Sequence, residues 1–435
     1  MKRVMHMLRA GTDRRFMRDT LLLSSGMVAA QLLMLAAMPM WARLYTPADF
    51  GVLGLWTAVA GIVSVVVVLR LDTCIVVAPD DTRARTLTQL CLWLSAGGAA
   101  VIALISTLLP VAVLRPLGLA ALGPWLPVAV LAGGLAAAVS ALQFAANRRS
   151  AYGRMTLSRV ALAGVASLAG IGLGAAGVGA GMLLAHLAAS LAAWLALTVG
   201  VTASQRIGPP WADRHALAGA VRANANAPRY LWPAALLDVL TQQLPLLLIA
   251  GWYSQALAGQ FSLAWRVIAV PLFMLAAAAG SVFFQRMSLL ADRPAEARQL
   301  LVGTWRLFAL LGALPAIGVM VWGEPLFAVV FGPEWAPAGR MAAVLMPMLW
   351  VMLVSVPTSS TLIVLGLQKW SLLFGLAMLV YRPLAFWLGA RQGDLERGLW
   401  LWVVCEVFVI ALYNLLILRG LRRLHNRAQP HPESH

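Results

Sequence analysis

Seven side chains stand out because they carry charge inside runs otherwise suited to hydrocarbon. Arg70 and Asp72 interrupt "SVVVVLRLDTCIVVAPDD" (64–81), and Asp238 lies in "AALLDVLTQQLP". Arg266 is in "SLAWRVIAVP", Arg382 in "LVYRPLAF" and Glu406 in "WVVCEVFV", while Arg306 stands near the start of another apolar run. A charge facing lipid at a helix centre costs about 2.5–3.5 kcal/mol. Six such charges together approach about 15–20 kcal/mol, more than the net stability of an ordinary domain. These groups must therefore face one another, a wet cavity or a transported ion. The three intramembrane arginines, Arg70, Arg266 and Arg382, suit bidentate capture of an anion such as phosphate, with Arg306 as an interfacial fourth. Asp72, Asp238 and Glu406 suit coupling-ion or proton steps, or pairing with the arginines. Pairing that only orients helices stays open, since three acids match three arginines. On a continuous helix, Arg70 and Asp72 lie about 200° apart and cannot meet.

The elements that position these charges are membrane spans. The chain has 435 residues, 61% hydrophobic and 11% charged, far from the ~45–50% and ~25% of soluble domains. Twelve runs are long enough to cross a bilayer, at 20–40, 50–79, 87–110, 124–146, 156–176, 178–200, 229–252, 258–284, 302–322, 340–366, 370–389 and 396–418. The first run is too long for a signal-peptide core and is read as a span. The expected fold is all-α: a polytopic membrane protein of about twelve helices, in two six-helix lobes around a central cavity. The lobes take 1–200 and 229–435 (the latter ending in a cytoplasmic tail), and 201–228 forms a cytoplasmic linker with a short amphipathic helix near Ala212–Arg222.

A short repeat supports the two halves. "LYTPADFGVLGL" (44–55) and "WYSQALAGQFSL" (252–263) share Tyr45/Tyr253, Thr46/Ser254, Gly51/Gly259 and Leu55/Leu263. Six intervening spans give both copies the same orientation, and parallel repeats with a substrate path between them are one transporter architecture. Pro233, Pro245, Pro271, Pro315, Pro347 and Pro357 are candidate bends.

The formal charge of +17 invites a nucleic-acid reading, but its distribution excludes one. With a cytoplasmic N-terminus, 24 of the 33 Lys and Arg fall on the inside and only Arg43, Arg115, Arg340, Arg391 and Arg397 outside. This is the positive-inside pattern, with both termini cytoplasmic and the lipid bilayer as the partner. Trp41, Trp56, Trp125, Trp252, Trp322 and Trp335 fall at expected membrane borders, as an aromatic belt would, and His186 reads as packing. Cys74, Cys91 and Cys405 fall within the runs and offer neither disulfide framework nor metal spacing. No GxxxxGK[ST] loop provides an ATPase. No large outside loop carries paired acids for a glycan enzyme; the longest, 323–339, is short and partly apolar. Composition thus favours a secondary transporter that is not an enzyme and uses no cofactor beyond proton or sodium coupling.

Two stretches carry a resemblance. "ARLYTPADFGVLGLW" (42–56) holds Arg43, Leu44, Tyr45, Pro47, Phe50 and Gly51. "VLRLDTCIVVAPDD" (68–81) holds Leu69, Arg70, Ile75, Pro79, Asp80 and Asp81. They resemble the signature of the Wzx-type polysaccharide flippases, within the multidrug/oligosaccharidyl-lipid/polysaccharide exporter superfamily. The chain departs at Leu71, Asp72 and Cys74, where the family has an aromatic residue, Glu and Ala. "FGPEW" (331–335) resembles the family's loop between spans nine and ten. The resemblance implies alternating access in the bacterial inner membrane. Its cargo is an undecaprenyl-pyrophosphate-linked oligosaccharide, moved to the periplasmic leaflet for O-antigen, capsule or exopolysaccharide, including lipopolysaccharide. The polymerase and chain-length proteins of the same pathway are implied partners. A multidrug cation antiporter of the superfamily and a peptidoglycan lipid-precursor flippase are the alternatives.

Overall fold

The computed structural model describes residues 14–201, 214–290, 293–365 and 368–428. Twelve helices are long and apolar enough to span a membrane, and no strand occurs among the described residues. In chain order they are α1 (Arg14–Leu44), α2 (Pro47–Val68), α3 (Asp81–Leu108), α4 (Leu126–Arg148), α5 (Tyr152–Ala175) and α6 (Gly181–Val201). The second six are α7 (Trp232–Trp252), α8 (Gln255–Leu289), α9 (Pro294–Phe331), α10 (Ala336–Ser355), α11 (Gln368–Arg391) and α12 (Leu395–Ala428). The chain is a multi-pass membrane protein. It divides into two compact units, Met1–Leu240 and Thr241–His435, with the boundary inside α7.

In the first unit α4 is the central helix, packed by α2, α3 and α6, while α5 packs on α1 and α6. Small residues let these backbones approach closely. A Cβ on Gly134 of α4 would stand 2.7 Å from the Ser95 carbonyl of α3, so only glycine fits there. In the second unit α10 is central in the same way, packed by α8, α9 and α12.

The sequence repeat proves to be one joint built twice. The Tyr45 hydroxyl donates to the carbonyl of Gly170 on α5 at 2.7 Å, and the Tyr253 hydroxyl donates to Phe386 on α11, also at 2.7 Å. In each unit, then, the tyrosine after the first helix pins the fifth. Gly174 and Gly181 make room for the Tyr45 ring, and Gly389 and Gly398 for Tyr253; a Cβ at any of them would come within 3.0 Å of the phenol. Thr46 caps α2 in a reciprocal box with Asp49, and Ser254 caps α8 by accepting from Leu257 N, which satisfies donors the first turn would leave bare. Leu55 and Leu263 are both fully buried. Burial raises both phenol pKa values, with Asp49 adding at Tyr45. Tyr253 is pushed up to about 12, with Asp394 adding. Both therefore stay neutral donors in ordinary buffers.

Several expectations need correction. The second span was expected over 50–79 but ends at Val68. Prolines at 245, 271, 315 and 347 lie inside unbroken helices. Pro233 is the second residue of α7, which the π-helical turn Ala227–Leu231 leads into without a break. Only Pro357 marks a break, in the 3-10 turn Val356–Thr358 that follows α10. The expected outside loop at 323–339 is mostly helix: α9 runs to Phe331, and Gly323 packs against the carbonyl of Gly339 on α10. Arg340, expected in a loop, is on α10 and ion-paired with Glu324. Trp41, Trp56 and Trp335 are buried rather than set in a border belt. Trp41 donates to the Ser167 carbonyl at 3.4 Å and stands edge-on to His186, which leaves His186 in the packing role expected of it. Cys74 lies in the short helix Cys74–Val77, outside α2. A helix does occupy Arg214–Ala223; residues 202–213 of the expected linker lie outside the described residues.

Candidate functional site

The first cluster begins where α2 stops. At 22 residues, α2 is about 33 Å long and already matches a bilayer. Arg70 and Asp72 therefore lie past its end, not at mid-membrane. Leu69 (φ 52°) and Arg70 (φ 59°) both adopt the left-handed conformation, which costs an L-residue roughly 1–2 kcal/mol. The chain then makes a 3-10 turn, Leu71–Thr73, and the short helix Cys74–Val77 before Asp80 caps α3.

What holds this strained segment is a set of polar contacts to α4. Asp72 is 2% exposed. Its Oδ2 accepts from Ser140 Oγ at 2.9 Å and its Oδ1 from Thr73 N at 3.0 Å. Arg148, the last residue of α4, donates to the carbonyls of Val76 (3.1 Å) and Ala78 (2.6 Å) and pairs with Asp81 at 3.2 Å. Asp72 and Arg70 are thus neighbours that do not pair. Arg70 is half-buried, and among the described residues no side-chain partner engages its guanidinium. The nearest acid is satisfied by a hydroxyl, so the cation stays available. Backbone strain that is over-determined by its surroundings is a recognised mark of a working site.

The second cluster lies in the second unit and is closed. Arg382 on α11 and Glu406 on α12 form a bidentate pair, Nη2 to Oε1 at 2.7 Å and Nε to Oε2 at 3.1 Å. Side-chain exposure is 7% and 0%. Tyr381 Oη (2.6 Å) and Trp402 Nε1 (2.8 Å) donate to the same carboxylate. Arg382 Nη1 donates to the Thr241 carbonyl on α7, and the guanidinium lies 5.6 Å from the Trp402 ring centre. The sequence offers Arg382 as an anion contact. The structure instead spends its donors on Glu406 and Thr241, tying α7, α11 and α12 together.

The remaining expected residues are dispersed. Arg266 is half-buried on α8, Asp238 is exposed on α7 and Arg306 is exposed on α9. Sequence reading missed four contributors: Ser140 and Arg148, which position the Arg70 segment, Trp402, which completes the buried pair, and Arg159. Arg159 counts as a cytoplasmic loop charge in the topology. It lies within α5, and its Nη1 is buried with no partner among the described residues.

The sequence family described as polysaccharide biosynthesis protein matches residues 40–340, which takes in both motif stretches and Arg70. No curated protein matches the chain. Among solved structures, an inward-facing multidrug resistance MATE family transporter of the MOP superfamily superposes with a TM-score of 0.61 at 16% identity, covering 93% of this chain and 98% of that one. A Vibrio cholerae MATE transporter gives 0.55 at 15% identity, covering 94% and 97%. A MOP superfamily transporter from Pyrococcus furiosus, described by the reverse polarity of its binding pocket, gives 0.54 at 17%, covering 95% and 96%. The fold is that of these transporters.

Proposed function

The chain belongs to the polysaccharide biosynthesis protein family, and from that premise we propose that it is a flippase for polyprenyl-pyrophosphate-linked oligosaccharides. It moves repeat units from the cytoplasmic to the periplasmic leaflet of a bacterial inner membrane, with both termini cytoplasmic, by alternating access. The cargo carries phosphates that need a cation and sugars that need a polar path, while its hydrocarbon tail needs neither.

The observation that carries this reading is Arg70. It stands inside the region matched by the family, on strained backbone, with Asp72 engaged by Ser140 and no partner of its own among the described residues. A guanidinium in that state offers a fork of donors to a phosphate pair. Arg306, exposed on α9, is a second cation for the anionic cargo. A membrane potential of 100 mV, negative inside, favours outward movement of each negative charge by about 2.3 kcal/mol. Asp238 and Arg266 serve the coupling-ion and pathway steps.

The fold shared with MATE transporters favours one other reading, export of cationic drugs. The reverse pocket polarity named for the Pyrococcus furiosus protein, said there to suggest a different function, is a precedent for divergence within the superfamily. Proteoliposomes separate the two. Sugar of a labelled polyprenyl-pyrophosphate oligosaccharide becomes accessible to an external glycosidase faster than in empty liposomes if the chain is a flippase. Proton-driven uptake of a cationic dye, without sugar exposure, establishes the antiporter instead.

A further inference from the structure

A cavity of about 510 Å³ in the first unit belongs to neither charged cluster. It lies over α4 between α3 and α6. Its floor is made of small residues, Gly134, Ala138, Ala96 and Ala99, and its walls include Trp93 and Trp194. The size is that of a small-molecule site. The lining is almost entirely apolar, and its two hydroxyls are already spent. Ser95 Oγ donates to the Cys91 carbonyl at 2.7 Å and Thr198 Oγ1 to Leu195 at 3.1 Å. Neither hydroxyl is left to donate to a sugar or a phosphate, and apart from the two indole N–H groups the surface suits hydrocarbon.

The depth of the groove is set by helix rise. Leu92 and Ala99 follow Arg85 by seven and fourteen residues on α3, about 10 and 21 Å along the axis. Ala138 and Leu131 precede Arg148 by ten and seventeen residues on α4, about 15 and 26 Å. The groove thus occupies hydrocarbon depth, and the ends of the same two helices carry Arg83, Arg85 and Arg148, beside the segment that presents Arg70. Asp80 and Asp81 pair with Arg83 and Arg148. Arg85 is exposed, and neither it nor Arg70 has an ion-pair partner among the described residues.

A cationic end and an apolar channel in line suit an amphiphile with its phosphate at the arginines and its chain in the groove. We propose that the α3–α4–α6 groove seats the proximal isoprenoid units of the lipid-linked substrate. This rests on the flippase reading and deepens it: part of the tail is held by the protein while the head crosses. An isoprenoid is favoured over an acyl chain because the alanine and glycine floor leaves width for methyl branches, and the two indole rings offer flat apolar walls.

The test uses the full chain in nanodiscs with two photoreactive probes. One is a polyprenyl phosphate with a diazirine in its isoprenoid chain, and the other a phosphatidylethanolamine with a diazirine in its acyl chain. The expected result is polyprenyl labelling concentrated in 92–99, 131–138 and 194–198, displaced by unlabelled polyprenyl phosphate and not by phospholipid. Filling the groove with Ala96→Phe, or independently with Leu131→Phe on the other side, lowers labelling about tenfold, a loss worth about 1.4 kcal/mol of binding. Equal labelling of these segments by the phospholipid probe, labelling elsewhere, or no effect of either filling variant overturns the proposal. Labelling requires no translocation, so a seated tail with no sugar exposure would refute the flippase reading and leave the groove assignment intact.

Discussion

The second helix of the first unit stops after 22 residues, while its counterpart in the second unit continues for 35. Both start alike, with a pinned tyrosine, a hydroxyl cap and a buried glycine and leucine. They part at the far end, where α2 gives way to left-handed backbone and an arginine with no partner among the described residues, and α8 continues through Pro271 without a break. The charged residues divide the same way. The first unit holds a satisfied acid beside a cation with no partner among the described residues, and the second holds a buried bidentate ion pair whose carboxylate accepts from Tyr381, Arg382 and Trp402. The same joint is built in both units; beyond it, the second unit ties its helices together through a buried ion pair, and on the proposed reading the first unit provides the anion contact.

The sharpest way to break that contrast is to remove Glu406. Glu406→Ala leaves the Arg382 guanidinium buried without its anion, which costs about 3–5 kcal/mol. Thermal unfolding in detergent is expected to show a large fall in Tm. The paired change Arg382→Met with Glu406→Leu restores most of it, because well-packed apolar groups replace a buried pair without desolvation cost. An equally large loss in the double variant would mean that the pair does more than hold helices. In the first unit Asp72→Asn keeps the Ser140 contact and is expected to cost only about 1 kcal/mol.

Relief of backbone strain comes next. Leu69→Gly is expected to stabilise by up to about 1 kcal/mol, since glycine enters the left-handed region without penalty. A fall in Tm would show that the Leu69 side chain matters more than its φ. The smallest effects test the shared joint. Tyr45→Phe and Tyr253→Phe each remove one hydrogen bond and are expected to cost about 1 kcal/mol alike, the two units responding equally. Because its pKa is raised to about 12, Tyr253 contributes fully below pH 10. That contribution fades as pH rises toward 12, since the deprotonated phenol cannot donate to Phe386. Alkaline melts should lose this increment, and Tyr253→Phe should not.

Much of this was legible in the sequence. All twelve spans follow from apolar length, and the repeat was readable because both its cap and its tyrosine pin are local side-chain chemistry. The end of α2 was not readable. Val65–Val68 run into Leu69 with neither glycine nor proline, and what stops the helix is contact from Ser140 and Arg148, more than sixty residues away. Residues 323–339 misled in the opposite sense: Gly323 and Gly339, the two ends of the expected loop, are where α9 and α10 touch backbone to backbone. The tryptophans at 41 and 335 looked like border anchors because position along a span says nothing about which face a residue takes. The pairing of Arg382 with Glu406 was open as one of several matches, and only the geometry selected it.

The most direct test of the division of labour is the sugar-accessibility assay in proteoliposomes, run on Arg70→Ala and on Arg382→Met with Glu406→Leu, each checked for Tm. The account predicts that Arg70→Ala folds normally and loses translocation by about tenfold or more, the loss of one charge-assisted contact, while the apolar pair still translocates. Full activity in Arg70→Ala, or a folded but inactive apolar pair, would contradict it and move the anion site to the second unit.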